Sequence, residues 1–159
     1  MLRLEIEDFG LIERAAFAFA EGLTIFTGET GSGKTMLLGA LGFVLGERAE
    51  TDLIRSGAAR SRVTLEIEPD AALRGWLAGA GFALADDDAC IVTRDLTPNG
   101  RSQARIAGTA ASASQLRELG RRVVDLIGQH EAQRLLSPAF ALEAIDRFGG
   151  AALLAVRER

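Results

Sequence analysis

The chain has 159 residues, 48% of them hydrophobic, and a net charge of −4, so it can bury the core of one domain but has no overall positive field that would attract nucleic acid. Its apolar runs are shorter than the roughly 20 residues that cross a bilayer, and it starts without the apolar stretch of a signal peptide, so we expect a cytoplasmic protein with no membrane contact. The single cysteine, Cys90, excludes an internal disulfide and lies in an apolar run, where we expect a buried strand residue.

The amino-terminal part is predicted to hold a β-hairpin, a further strand and a helix. Apolar and charged residues alternate over 2–7, and the second strand of the hairpin is predicted over 15–20. The β-forming residues of 23–27 predict a short apolar strand. A helix is predicted over 34–45 because its apolar residues surround most of its circumference, and Gly46 is expected to end it.

The remaining elements are mainly strands with alternating apolar residues and short amphipathic helices. In chain order they are a strand over 61–68, a helix over 70–80, a hairpin with strands over 91–96 and 102–106, a helix over 112–120 and a strand over 123–127. From Pro138 a helical pattern continues to Arg159 without a stop signal.

A complete phosphate-binding motif, G-x-x-x-x-G-K-[ST], separates the predicted strand 23–27 from its helix. Its residues are Gly28, Glu29, Thr30, Gly31, Ser32, Gly33, Lys34 and Thr35. Glycines let backbone N–H groups turn towards phosphate oxygens, and the start of the helix adds partial positive charge. We expect Lys34 to reach the β- and γ-phosphates and the Thr35 hydroxyl to bind Mg²⁺. The motif therefore predicts binding of Mg-ATP, and Lys34 is the only lysine among 18 basic residues.

Further stretches follow one another in an order that is typical of a known family. They are residues 4–9, 28–35, 45–50, 52–60, 99–102, 114–120 and 127–130. Together they resemble the RecN family of bacterial DNA repair proteins, which are SMC-like ATPases with heads of the ABC type. The resemblance implies an α/β P-loop NTPase fold of ABC/SMC-head type. Its amino-terminal lobe has an antiparallel β-subdomain plus parallel core strands, and it is incomplete without the carboxy-terminal half.

The resemblance also implies that one head is built from two halves that supply different motifs. Residues 1–148 would be the amino-terminal part of the head, and 149–159 would be the start of a coiled-coil helix or the end of a truncation. The signature motif, the second acidic motif and the catalytic glutamate belong to the other half in such proteins, and this sequence contains none of them. The expected partners are that carboxy-terminal half, a second head as a homodimer, and DNA.

An ATPase of DNA double-strand break repair and recombination is the function that the resemblance implies. We expect ATP to be hydrolysed when two heads engage, in the cytoplasm in association with the nucleoid. Since this chain lacks the catalytic base, we expect it to bind ATP weakly and to hydrolyse it negligibly by itself.

The resemblance also implies site residues at two places outside the phosphate loop. Gln129 follows a predicted strand and a glycine, as the Q-loop glutamine does, so the resemblance implies that it touches Mg²⁺ and positions water. The alternative for Gln129 is a polar residue that caps a strand, and Gln133 is a second candidate for the role. His130, the only histidine, is left open between a hydrogen-bonded loop residue and a catalyst.

Arg55 matches an arginine that SMC-type heads place near the nucleotide or the DNA. There it would stabilise charge on the transferring phosphoryl group, and the alternative is a solvated surface arginine. With Arg60 and Arg62 it forms a candidate patch for DNA phosphates. Asp125 lacks the full apolar strand that precedes a metal-binding acid, and no role is assigned to Glu29 beyond its place in the loop.

Three other interpretations stay open at this point. The chain can be the head of another SMC- or RecF-type ATPase, a small self-contained P-loop kinase, or a nucleotide-dependent interaction module without turnover. The strands predicted before the phosphate loop argue against the kinase, because kinases usually begin with the strand of the phosphate loop itself.

Overall fold

The structure, a computed structural model, describes residues 2–28 and 33–124. The chain divides into two units, Met1–Val124 and Asp125–Arg159. The domain boundary predicted at 148/149 lies outside the described residues, so it stays a prediction.

One antiparallel sheet of six strands organises the described part of the chain. The strands are β1 (Leu2–Phe9), β2 (Ile12–Phe19), β3 (Ser61–Ile67), β4 (Cys90–Leu96), β5 (Ser102–Ile106) and β6 (Thr109–Ala111). Their order across the sheet is β2-β1-β3-β4-β5-β6, and every neighbouring pair is antiparallel. The antiparallel β-subdomain is thus confirmed, whereas parallel core strands do not occur within residues 2–28 and 33–124.

Three α-helices accompany the sheet in the described residues: α1 (Lys34–Val44), α2 (Ala71–Gly79) and α3 (Ala113–Val123). A single turn of 3-10 helix covers Thr51–Leu53. None of these helices is long and apolar enough to cross a bilayer. The predicted start of a strand at Val123 is wrong, because Val123 is the last residue of α3. The helix predicted over 112–120 continues to Val123, with a capping box at its start and Leu116 and Leu119 buried.

The core lies between one face of the sheet and the helices. In β3 and β4 every second side chain is buried, and Leu4, Val63 and Val92 are fully inaccessible to solvent. α1 packs on β1, β3 and β4. Cys90, at the start of β4, is buried as predicted, and this burial raises the pKa of its thiol.

Residues 23–27 form no strand in the structure, contrary to the prediction. Leu23 is 85% exposed and Ile25 is 71% exposed, while the Phe26 ring packs against Phe17 and Phe19 of β2 with centroids 5.7 and 5.9 Å apart. A strand needs a neighbouring strand for its N–H and C=O groups, and none of the described residues provides one here. β-propensity alone therefore did not decide the conformation.

Candidate nucleotide-binding site

The phosphate-binding motif ends in the first turn of α1. Residues 29–32 lie outside the described part of the chain, so the structure places Gly28, Gly33, Lys34 and Thr35 of the motif. Gly33 is the N-cap of α1 with φ of 91°, a left-handed conformation that favours glycine. The Lys34 ammonium donates a hydrogen bond to the backbone carbonyl of Gly28, so the lysine connects the two ends of the loop. Lys34 and Thr35 are both exposed.

The start of α1 differs from the starts of the other two helices. In α2 the Asp70 carboxylate accepts a hydrogen bond from the Leu73 N–H at 2.8 Å, and in α3 the Ser112 hydroxyl accepts one from the Gln115 N–H at 3.2 Å. α1 begins with a glycine and has no side-chain cap, although like α2 and α3 it carries no acidic residue in its first turn. Its partial positive charge is therefore compensated by no side chain of its own, which suits an anionic ligand.

The opposite end of α1 is fixed by a glycine turn. Gly46 has φ of 96°, its N–H donates to the Phe43 carbonyl at 3.1 Å, and the Glu47 N–H donates to the Gly42 carbonyl at 2.9 Å. These two bonds form a Schellman motif, which satisfies carbonyl groups that the helix leaves unpaired. The prediction that Gly46 ends the helix is confirmed. The prediction of a helix buried around its circumference holds only for the carboxy-terminal half, since Lys34, Thr35 and Leu38 are exposed.

Arg94 also holds this end of α1, although the sequence analysis did not single it out. It lies on the buried face of β4, and its Nη1 donates to the carbonyls of Phe43 and Glu47 at 2.6 and 2.7 Å. Its Nε donates to the Ser102 hydroxyl at 3.0 Å, and Arg117 of α3 donates to the Gly46 carbonyl at 3.0 Å. A signal was present: Arg94 occupies an inward position in a strand whose other inward positions are apolar.

The structure brings Arg55 to the turn between β1 and β2. Its Nη1 donates to the Leu11 carbonyl at 3.2 Å, and its Nη2 lies 3.3 Å from a carboxylate oxygen of Glu13. The same turn contacts the first turn of α1, because a Cβ atom added to Gly10 would lie 2.6 Å from the Met36 sulfur. Arg55 thus binds a turn that lies near the end of α1 where Lys34 is located. A role of Arg55 in catalysis stays a prediction.

The candidate DNA patch is partly neutralised within the protein. Arg62 donates to both carboxylate oxygens of Asp95, at 2.7 and 2.9 Å, and this hydrogen bonding raises the pKa of Arg62. Arg60 lies 3.9 Å from the same carboxylate. Two of the three arginines that were predicted to bind phosphates therefore share an internal counter-charge.

Several predicted site residues lie outside the described part of the chain. They are Gln129, His130, Gln133 and Asp125, and their roles stay predictions. Of the residues assigned to Mg²⁺, the structure describes Thr35, an exposed residue in the first turn of α1. An exposed threonine at the start of a helix fits a cation that prefers oxygen ligands and retains water.

Comparison with known proteins identifies relatives of the whole sequence. The DNA repair protein RecN of Haemophilus influenzae is 34% identical, in an alignment that covers 100% of this chain and 29% of that protein. This chain thus spans less than a third of the length of that relative. The resemblance to the amino-terminal region of RecN proteins is confirmed.

Solved structures with a similar fold are SMC heads. A chain from work on ATP-driven dimerization and DNA-stimulated activation of SMC ATPases matches with a TM-score of 0.66 at 23% identity, covering 91% of this chain and 96% of that one. The Smc head domain of Pyrococcus yayanosii matches with a TM-score of 0.68 at 22% identity, covering 85% and 29% of the respective chains. These likenesses concern the fold, and they confirm the amino-terminal lobe of an ABC/SMC-type head.

A family model agrees with both comparisons. The model described as an AAA domain matches residues 3–135, which include the phosphate-binding motif and all the described strands and helices except the first residue of β1. The chain therefore belongs to the AAA domain family.

Proposed function

We propose that this chain is the ATP-binding amino-terminal part of an SMC-like ATPase head that acts in DNA double-strand break repair and recombination. The start of α1 carries this proposal: a complete phosphate-binding motif leads into a helix without a side-chain cap, with Lys34 bridging back to Gly28. The likeness to a DNA repair protein supports the biological role, and the likeness to SMC heads supports the type of ATPase.

Each proposed site residue has a distinct task. The backbone N–H groups of 28–35 hold the phosphates, Lys34 neutralises charge on the β- and γ-phosphates, and Thr35 contributes an oxygen ligand to Mg²⁺. Gln129 completes the Mg²⁺ site and orients water, and Arg55 stabilises charge that develops on the transferring phosphoryl group. The protein works in the cytoplasm at the nucleoid.

We further propose that the carboxy-terminal half of the same head covers an exposed apolar seam, defined here as Leu23, Ile25 and Leu38. Leu23 and Ile25 lie in the run of β-forming residues, and Leu38 is 55% exposed on α1. A strand from the other half that pairs with 23–27 would satisfy its backbone groups and bury these side chains. The catalytic glutamate would come with that half, and a second such head would face the nucleotide.

A titration with Mg-ATP tests the nucleotide site. Calorimetry should show binding to the chain, and Lys34→Ala should weaken it by at least about a hundredfold, because hydrogen bonds to a charged group contribute about 1.5–3 kcal/mol each. Arg105→Ala is the matched control, since it removes an exposed cation on β5 that donates only within its own turn, to the Gly108 carbonyl. Unchanged affinity in a folded Lys34→Ala protein would refute the site.

A turnover assay tests the half-head. The chain alone should release negligible phosphate, and addition of the carboxy-terminal part of the polypeptide should produce ATP hydrolysis that Lys34→Ala abolishes. Rapid hydrolysis by the chain alone would contradict the division between two halves. Binding without turnover after both halves and DNA are combined would instead favour the interaction module that the sequence left open.

A further inference from the structure

Arg94 is a charged residue in the middle of an otherwise apolar surface. Its neighbours at the inward positions of β4 are Cys90, Val92 and Leu96, all of them fully buried, and Arg94 itself is only 5% exposed. A leucine or valine at this position would be sufficient for the packing of a strand. The buried arginine therefore calls for a reason other than the stability of the sheet.

All the hydrogen-bond partners that the structure gives Arg94 are neutral. They are the carbonyls of Phe43 and Glu47 and the hydroxyl of Ser102, and the guanidinium also lies over the Phe43 ring, 4.6 Å from its centroid. Burial, and then the charge of Arg117, lower the pKa of Arg94. Taking a cation out of water without a carboxylate partner is costly, and carbonyls at the negative end of a helix offset that cost.

The geometry of these bonds requires an arginine. One Nη atom reaches two carbonyls on either side of the turn that ends α1, while Nε binds the first residue of β5. The planar guanidinium holds its donors in a fixed arrangement, whereas a lysine ammonium at the end of a flexible chain does not. Arg94 thus connects two strands of the sheet to the carboxy-terminal end of α1.

The carboxy-terminal end of α1 controls where its other end lies. α1 has 11 residues, so it is a rigid rod about 16 Å long with the phosphate-binding motif at its far end. Near the middle, Phe9 packs close to Gly39, where an added Cβ would lie 3.7 Å from its ring. If the anchored end shifts, the rod tilts about this contact and the N–H groups at Gly33 and Lys34 move as well. Displacements of about 1 Å at a reacting site can reduce rates a hundredfold.

We propose that Arg94 is a positioning residue for the nucleotide site: its hydrogen bonds to the end of α1 set the orientation in which the start of α1 meets the phosphates. This inference rests on the proposed ATP binding. It assigns a role in nucleotide affinity to a residue that lies at the opposite end of the helix from the ligand.

The test compares two conservative substitutions in the full chain. Arg94→Lys keeps the charge but loses the fixed arrangement of donors, and it should weaken binding of Mg-ATP by about tenfold, equivalent to 1.4 kcal/mol. Arg105→Lys is the matched control and should leave the affinity unchanged. Arg105 is on the neighbouring strand, paired with Thr93 and so on the other face of the sheet, and it is exposed. Affinities are measured at a temperature where circular dichroism shows every variant to be folded.

Two readouts separate positioning from mere stability. When the folded fraction is essentially complete, a loss of global stability does not change the apparent dissociation constant, so a weaker affinity reports a changed site. Amide hydrogen exchange should accelerate along α1 in Arg94→Lys and stay unchanged in β1 and β3. Equal affinity of Arg94→Lys and the wild-type chain would overturn the positioning role. Absence of ATP binding by the wild-type chain would instead overturn the proposed function.

Discussion

Residues 61–67 and residues 23–27 are both short runs of β-forming side chains, yet they adopt opposite states. The first run is β3, hydrogen-bonded to β1 on one side and to β4 on the other, with Val63 and Leu65 fully buried. The second run is not in a strand, and Leu23 and Ile25 are exposed. The difference lies in the neighbours, because a strand is stable only when both its backbone groups and its apolar face find partners.

α1 has one buried end and one exposed end, so a single helix combines these two situations. Its carboxy-terminal half is buried with the sheet and held by the Gly46 turn and Arg94, whereas Lys34 and Thr35 in its first turn are exposed. The described residues therefore consist of a lobe that carries its own core and an exposed edge at which we propose that the nucleotide binds. The proposed carboxy-terminal half would cover this exposed edge.

The largest expected effect concerns the buried end of α1. A Cβ atom added to Gly46 would lie 2.6 Å from the Ala113 carbonyl and 2.8 Å from the Arg117 amide nitrogen, in addition to the strain of a positive φ. Gly46→Ala should therefore lower the free energy of unfolding by about 4 kcal/mol in urea denaturation.

Gly57→Ala is the matched control for this clash. Gly57 has a similar φ of 83° but no atom within 4 Å of an added Cβ, so only the backbone strain of about 1–2 kcal/mol is expected. Equal losses at the two glycines would mean that α3 does not pack against the end of α1 as described.

The next effect compares the two β-forming runs directly. Leu65→Ala removes a fully buried side chain from β3 and should lower the free energy of unfolding by about 3 kcal/mol. Leu23→Ala changes a side chain that is 85% exposed and should alter it by less than about 0.5 kcal/mol. A large loss for Leu23→Ala in the isolated chain would show that the seam is already covered, and would contradict the exposed state of 23–27.

The smallest effect is a pH dependence that arises from Cys90. Burial raises the pKa of its thiol, so the unfolded chain loses this proton first as the pH rises through about 8.5. The contribution of Cys90 to the free energy of unfolding is thus constant below that pH and decreases above it, by less than about 1.4 kcal/mol per pH unit. Urea denaturation between pH 7 and 9.5 checks this.

The composition of the chain makes the Cys90 effect measurable. It has no tyrosine, and Lys34 is its only lysine, so few other groups titrate in that range. Cys90→Ala should remove the decrease above pH 8.5. A decrease of the same size in Cys90→Ala would assign it to another group and would contradict a buried thiol.

Much of the sheet was predictable because its signals are local. Alternation located β1, β3 and β4, the Pro98-Asn99-Gly100 turn located the β4–β5 hairpin, and Gly46 located the end of α1. The phosphate-binding motif was predictable for the same reason, since its chemistry is confined to consecutive residues. β6, with three residues after a turn at Ala107 and Gly108, was missed because so short a run has no recognisable period.

The errors concern features that depend on distant residues. The sequence does not show whether 23–27 has a neighbouring strand, and local propensity alone predicted one that the structure does not contain. Arg94 was missed as an anchor of α1 because its partners, Phe43 and Glu47, are far away along the chain. Val123 was assigned to a strand because β-branched residues favour strands. The structure instead places it in the helix that begins after the Ser112 cap.

We propose that backbone amides at the start of α1 bind a polyphosphate. Amide chemical shifts recorded by nuclear magnetic resonance during a titration with Mg-ATP test it most directly, with Leu73 and Gln115 as internal controls at the capped starts of α2 and α3. We expect large shifts for Gly33, Lys34 and Thr35, and little change for the two controls. Unmoved amides at Gly33, Lys34 and Thr35 under saturating Mg-ATP would contradict it.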